Sequence, residues 1–175
     1  SQGHFKNKAL RPGRLLSRGG AEMKRLALVL AVALGLALAQ SSYVGGHVGF
    51  FGGSGLNIFN AGAHGGVRLG VGLPEVRAGV DFSSVLGVLI LGVNADLLVP
   101  LAAPGLPASP YVGLGGNVWF LPGGSTDFGL HGTLGVRAPL PGMPLNGFVE
   151  FQPTYAFGGG GGFVYYLKLG FNYGF

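Results

Sequence analysis

The chain has 175 residues, of which 37 are Gly and none is Cys. The missing cysteines exclude disulfides, cysteine-ligated zinc, a thiol nucleophile and a lipid-modified N-terminal cysteine. The formal net charge of +5 arises at the beginning of the chain, because seven of the eleven Lys and Arg residues lie at or before Arg25. From residue 40 onward, four basic minus five acidic side chains give a net charge of −1. No nucleic-acid partner is therefore predicted, since phosphate binding needs a basic cluster.

Residues 1–22 contain five of the basic side chains and show no apolar periodicity. We interpret this segment as an added leader or as upstream sequence translated from a start placed too early. A mature protein whose N-terminus lies ahead of Met23 would contradict this interpretation.

A secretory signal peptide is predicted at residues 23–39. Met23 and two basic residues precede an apolar run of 14 residues, and small side chains at Ala37 and Ala39 stand before Gln40. This order of basic start, short apolar stretch and small residues is typical of a cleaved export signal. The run is too short for a transmembrane helix, and no later segment offers a partner for a buried helix.

Turn residues divide the remainder, residues 40–175, into eight runs of alternating polarity. The predicted strands are Tyr43–Phe51, Ile58–Gly72, Glu75–Phe82, Gly87–Val99, Pro110–Leu121, Thr126–Ala138, Gly147–Phe157 and Phe163–Phe175. Pro153 interrupts the seventh run and predicts a bulge or a late beginning of that strand. No helical periodicity follows the signal peptide. Eight strands can close into a barrel whose interior side chains nearly fill.

The charged side chains of these runs all share alternate positions with small and polar residues, while the opposite positions are apolar. An Arg or Lys on a lipid-facing wall costs about 2–4 kcal/mol at mid-membrane, so this segregation favours a transmembrane barrel with a polar lumen. The predicted lumen network, paired across the interior, consists of Arg68, Glu75, Arg77, Asp81, Asp96, Asp127, His131, Arg137, Glu150 and Lys168. Inward glycines such as Gly45, Gly70 and Gly129 predict water-filled gaps on either side of the paired layer. A soluble β-sandwich also alternates and stays an alternative.

The last thirteen residues, from Phe163 to Phe175, alternate strictly between large apolar and mostly small or polar side chains. A tilted strand needs about 9–11 residues to cross the hydrocarbon of a membrane. The terminal segment carries a polar residue at Lys168, then Gly170, Tyr173 and a final aromatic residue. It resembles the C-terminal signal of bacterial outer-membrane barrels, and the resemblance implies that the assembly machinery recognises this strand.

Residues 40–175 as a whole resemble small outer-membrane barrels of the OmpA transmembrane domain, OmpX or OmpW type. The resemblance implies an all-β fold, an eight-stranded antiparallel up-and-down transmembrane barrel preceded by a cleaved signal-peptide helix. It implies location in the outer membrane, with membrane lipid, the barrel-assembly machinery and periplasmic chaperones as partners. The implied role is a structural barrel or a narrow channel with a polar, charge-paired lumen. With the N-terminus in the periplasm, the outward connections are short, which argues against adhesion or receptor roles.

Candidate catalytic chemistry is sparse. His47, His64 and His131 fall on inward positions, but no two of them have metal-ligand spacing on one strand, so neither a metal nor a cofactor is predicted. Outer-membrane lipid hydrolases of similar size use a Ser–His pair, and no Ser nucleophile accompanies His131, so no enzyme is predicted. A lipid-modifying enzyme and a soluble secreted barrel or sandwich that binds a ligand stay as alternatives. Trp119, also inward, either packs in the lumen or plugs it.

Overall fold

The structure, a computed structural model, describes residues 41–53, 55–85, 87–158 and 161–175. The predicted leader at 1–22, the signal peptide at 23–39 and its cleavage site at Ala37, Ala39 and Gln40 lie outside the described residues. Within the described residues no helix is long and apolar enough to cross a membrane.

The described chain forms one closed barrel of eight antiparallel strands in chain order. The strands are β1 (Ser41–Gly53), β2 (Leu56–Arg68), β3 (Glu75–Val85), β4 (Val88–Pro100), β5 (Ser109–Phe120), β6 (Thr126–Pro139), β7 (Leu145–Phe157) and β8 (Gly162–Gly174). β8 returns to pair with β1, and this closure leaves no strand edge free to aggregate. The predicted all-β eight-stranded barrel is confirmed, and the sandwich alternative is wrong.

The strands are staggered around the barrel. A circuit of the barrel shows this stagger. If one starts at Ser41 and moves from each residue to its partner on the next strand, the circuit returns to β1 at Phe51, ten residues further along the strand. A stagger of this kind goes with strands tilted by roughly 35–45° to the barrel axis. The predicted bulge or late start at Pro153 is wrong, because β7 begins at Leu145 and keeps one register with β6 on both sides of the proline. The missing N–H of Pro153 interrupts the ladder only locally.

The second strand is shorter than predicted. β2 ends at Arg68, and the next residues form a turn in which the Leu73 amide donates to the Gly70 carbonyl oxygen at 3.2 Å. Gly72 has φ of +72°, a left-handed conformation that glycine adopts at little cost and that ends the strand. Gly70 therefore lies in a turn at the terminal end of the barrel, and the prediction that it belongs to the second strand is wrong.

Burial is reversed relative to a soluble protein. Inward polar side chains such as Glu150 and Gln152 are 1% exposed, whereas outward apolar side chains such as Leu130 and Phe163 are 63% and 74% exposed. In a water-soluble fold large apolar side chains collect inside. The core of this molecule is thus its polar lumen, and its apolar face is the outer wall.

The two ends of the barrel differ. At one end, which we call the terminal end, β1 begins, β8 ends, and the turns at 69–74, 101–108 and 140–144 connect the strands. At the opposite, far end, the connections are 54–55, 86–87, 121–125 and 158–161. None of these seven connections contains a charged residue, so all the charge of the described barrel lies on its strands.

Candidate functional site: the barrel lumen

An ion-paired layer crosses the middle of the lumen. The Nη2 of Arg77 on β3 donates to the Glu150 Oε2 at 2.9 Å, and its Nη1 donates to the other Glu150 oxygen. The Nε of the same guanidinium donates to the Asp96 Oδ2 at 3.0 Å. All three side chains are buried, and bidentate guanidinium–carboxylate pairs are both strong and geometrically specific. We call this group, Arg77, Asp96 and Glu150, the central triad.

Three further side chains complete the hydrogen bonding of the central triad. The Tyr111 hydroxyl donates to the Glu150 Oε1 at 2.5 Å, and the Gln152 amide donates to the Glu150 Oε2 at 3.2 Å. On the other side, the His131 Nε2 lies 2.5 Å from the Asp96 Oδ1. Each carboxylate of the triad therefore has more than one partner, which a buried charge requires.

A second polar cluster lies toward the far end. The carboxylate of Asp81 contacts the His47 Nε2 at 2.7 Å and the Lys168 Nζ at 3.4 Å, and Asn94 donates to it from the neighbouring strand β4. His47 stacks on His64, with ring centroids 5.8 Å apart. This cluster joins five of the eight strands across the lumen.

Aromatic side chains close the lumen beyond this second cluster. The Trp119 Nε1 donates to the Tyr166 hydroxyl at 2.6 Å, and the ring of Phe51 lies 4.7 Å from that of Tyr166 and 6.3 Å from that of Trp119. Trp119 and Tyr166 are buried. The inward tryptophan thus packs as part of an aromatic layer and is bonded in place.

The terminal end of the lumen carries two arginines around one carboxylate. The Glu75 Oε2 accepts from Arg137 Nη1 at 2.8 Å and from Arg68 Nε at 3.3 Å, while Tyr43 donates its hydroxyl to the Oε1. The Arg137 guanidinium lies over the Tyr111 ring, 4.5 Å from the centroid. Above these residues opens a cavity of about 340 Å³, which we call the vestibule.

Eight of the ten residues predicted for the lumen network form ion pairs between Arg or Lys and a carboxylate, and a ninth, His131, contacts the carboxylate of Asp96. Asp127 does not: it makes no ion pair with another described residue, and its carboxylate lies against the backbone of Gly158 at the far end. It is the second residue of β6 and the direct strand partner of Trp119, near the far end.

The sequence reasoning missed the neutral members of the network. Tyr43, Tyr111, Asn94 and Gln152 each donate to a buried carboxylate. Their signal in the sequence was the inward position that they share with the charged residues. A tyrosine at such a position was not recognised as a hydrogen-bond donor to the charges, because its ring also suits an apolar wall.

Rings fill the space that the inward glycines leave. A Cβ built on Gly66 would overlap the ring of Tyr43, and one built on Gly135 would overlap the ring of Tyr111. Phe148 lies in the same way on Gly170, and Trp119 on Gly129. The space between the central triad and the Asp81 cluster holds no water-sized void. The prediction of water-filled gaps is therefore wrong for the space between the central triad and the Asp81 cluster, whereas an open cavity lies at the terminal end.

The Asp96–His131 pair in the lumen is not completed into a hydrolytic triad. Asp96 and His131 are arranged like the acid–base part of a hydrolytic triad, but the His131 Nδ1 is buried and has no hydrogen-bond partner in the described structure. A triad needs a nucleophile bonded to that second ring nitrogen. No group of three or more described His, Cys, Asp or Glu residues is placed to hold a metal ion.

The comparisons with known proteins identify a fold. No family model matches the sequence, and no curated protein matches it. The structure is similar to the N-terminal β-barrel domain of Pseudomonas aeruginosa OprF, with 12% sequence identity, a TM-score of 0.59, and coverage of 78% of this chain and 98% of that one. It is also similar to Neisserial surface protein A, with 16% identity, a TM-score of 0.53, and coverage of 76% and 95%. A major outer membrane protein from Thermus thermophilus has 19% identity, a TM-score of 0.54, and coverage of 77% and 99%. At these identities the similarity confirms the predicted barrel fold.

Proposed function

We propose that this chain is an exported outer-membrane protein whose barrel is a structural element with a closed lumen. The apolar outer wall and the polar lumen suit a closed barrel in lipid, where every backbone group must find its partner within the protein. The proteins of similar structure are described as a surface protein, an outer membrane protein and a barrel domain of OprF. Export through a signal peptide, insertion by the barrel-assembly machinery and contact with periplasmic chaperones belong to this proposal.

The proposed structural role rests on the closed layer in the middle of the lumen. The central triad spans the lumen from β3 to β7, and the aromatic layer of Trp119 and Tyr166 covers it toward the far end. An ion would have to displace a bidentate ion pair beside a space too small for a water molecule, and separating buried charges is costly. The alternative of a narrow channel requires this layer to open.

Conductance in a planar bilayer tests the proposal. The purified barrel should show no steady ion current. Arg77→Ala removes the side chain that both triad carboxylates contact, so it should produce measurable current or prevent folding. Asp127→Asn changes a charge outside the ion-paired layers and serves as the control. A wild-type current like that of a wide porin would overturn the proposed structural role.

Two further measurements address location and catalysis. The protein should fractionate with the outer membrane and should migrate differently on gels when it is left unboiled, because folded barrels resist unfolding. Recovery in the soluble periplasmic fraction would favour the alternative of a soluble secreted binding protein. A change in the composition of membrane lipids after overexpression would favour the alternative of a lipid-modifying enzyme.

A further inference from the structure

The vestibule at the terminal end combines an arginine pair with an apolar rim. Arg68, Glu75 and Arg137 form its floor, and Ser41, Ser109 and Asn146 are polar residues on its wall. Its volume of about 340 Å³ lies in the range of small-molecule sites. It opens at the terminal end of the lumen, beside the arginine pair.

The charge at this floor is unbalanced. Two guanidinium groups share a single carboxylate, and both donate to the same oxygen of Glu75. The Arg68 side chain is 35% exposed, and among the described residues its Nη groups have no hydrogen-bond acceptor. The vestibule therefore presents a net charge of +1 and unused N–H donors, and guanidinium groups prefer carboxylate or phosphate oxygens.

The next layer of the lumen has the opposite imbalance. The central triad places two carboxylates around the single guanidinium of Arg77. An anion attracted into the vestibule would meet this excess negative charge and, beside the triad, a space too small for a water molecule. The electrostatic arrangement therefore favours holding an anion at the vestibule over passing it through the barrel.

Apolar side chains surround the mouth of the vestibule. Val71 and Leu73 on the turn between β2 and β3 are 97% and 52% exposed, and both line the cavity together with Pro100 and Pro139. Two exposed aliphatic side chains beside a pair of guanidinium groups suit a molecule with an anionic head and an apolar chain.

We propose that the vestibule binds the anionic head of an amphiphile, a carboxylate or a phosphate, through Arg68 and Arg137, while Val71 and Leu73 contact the apolar chain. The site goes beyond the proposed structural role. Its test uses the barrel in neutral detergent, so it does not depend on the orientation of the protein in a membrane.

Isothermal titration with hexanoate, inorganic phosphate and hexan-1-ol tests the two parts of the site separately. Hexanoate should bind more tightly than either phosphate or the uncharged alcohol. Arg68→Gln should weaken hexanoate binding about tenfold or more, as expected for the loss of a charged hydrogen bond. Leu73→Ser should weaken hexanoate and leave phosphate unchanged. Asp127→Asn, at the far end, is the matched control and should bind hexanoate like the wild type.

A measurement on the wild type keeps the proposal testable if the arginine variant does not fold. In an NMR titration with hexanoate, the Nε–Hε resonances of Arg68 and Arg137 should shift, and that of Arg77 should stay in place. Absence of these shifts, or hexanoate binding unaffected in a folded Arg68→Gln barrel, would overturn the proposal. Equal binding of phosphate and hexanoate would overturn the amphiphile and leave only a site for free anions. A conducting wild type that still binds hexanoate would reject the proposed structural role and support this site.

Discussion

Glycine and aromatic side chains fit together as pairs in the lumen. Tyr43 is the direct strand partner of Gly66, and Tyr111 is that of Gly135. Each ring lies across the space that a side chain on its partner would occupy. The period-2 pattern of the sequence was enough to place these residues inward. It could not show that a ring covers a glycine, because that contact depends on the register between two strands.

Two alanine substitutions on β6 should separate filled from open glycine positions. Gly135→Ala should lower the free energy of unfolding by about 1–3 kcal/mol, because a methyl group would push into the ring of Tyr111. Gly132→Ala on the same strand faces outward, where the nearest atoms are 4.0 Å from the added Cβ. It should be neutral or stabilising by up to about 1 kcal/mol, since it removes a flexible glycine from a strand. Urea titration in lipid vesicles measures the free energy of unfolding of both variants. Equal losses of stability would contradict the packing of the Tyr111 ring on Gly135.

At the scale of the strand, the outer wall carries most of its aromatic side chains near the far end. Exposed phenylalanines occur there on β1, β2, β3, β5, β6, β7 and β8, namely Phe50, Phe59, Phe82, Phe120, Phe128, Phe157 and Phe163. Near the terminal end the exposed aromatics are Phe171, Tyr173 and Phe175, which all lie at the end of the chain. Aromatic girdles mark the membrane interfaces of barrels, so the far end carries the more complete girdle.

Position along β6 should decide the cost of a charge on the outer wall. Leu134 and Phe128 both face outward, 55% and 56% exposed, but Leu134 lies near the middle of the strand and Phe128 near the far end. Leu134→Arg should lower the free energy of unfolding by about 2–4 kcal/mol, and Phe128→Arg should lower it by about 0–1 kcal/mol. The difference arises because the penalty for a lipid-facing charge falls toward the membrane interface. Unfolding titrations of both variants in lipid vesicles give the difference. Equal costs would show that this wall does not face lipid.

The last strand offers a test of the predicted assembly signal of Lys168, Gly170, Tyr173 and Phe175. The double variant Tyr173→Ser with Phe175→Ser should reduce the yield of membrane-inserted barrel, because the sequence resemblance places recognition at these two aromatics. The fraction of protein that shifts on unboiled gels after expression measures the yield.

Substitutions elsewhere on β8 provide the control for that test. Phe163→Ser with Leu167→Ser removes two outward apolar side chains from the same strand. Both double variants lose apolar surface, and only the first alters the terminal motif. A similar drop in inserted yield for the two would attribute the effect to general loss of lipid contact and would reject the signal.

For the molecule as a whole, the number of strands and the direction of most side chains could be predicted from the sequence, because both follow from turn residues and period-2 alternation. The end of β2 could not, since Leu69 and Val71 continue the alternation into a turn that hydrogen bonds and Gly72 impose. The partners of each ion pair could not be predicted from the sequence either. Glu150 on β7 reaches Arg77 on β3 across the lumen, and such contacts depend on the stagger and the diameter of the closed barrel.

The central triad should contribute little net stability to the whole barrel and yet be costly to break. Arg77→Met leaves the carboxylates of Asp96 and Glu150 buried without their cation. It should therefore lower the free energy of unfolding by about 3–5 kcal/mol. Adding Asp96→Asn and Glu150→Gln to the same chain removes the uncompensated charges, so the triple variant should recover most of that loss. This expectation follows because the desolvation of buried ions offsets much of their attraction.

Urea titrations of the wild type, the single variant and the triple variant in vesicles of one lipid composition measure this difference. The triple variant keeps a filled lumen but has no ion pairs in its middle layer. Its free energy of unfolding, compared with that of the wild type, therefore gives the net contribution of the ion pairs. If it unfolds as easily as Arg77→Met, the ion pairs themselves stabilise the barrel, and the carboxylates were not destabilising the single variant. If the triple variant recovers the stability, we infer that the ion pairs serve to keep the lumen closed. Measuring the conductance of the triple variant tests this role.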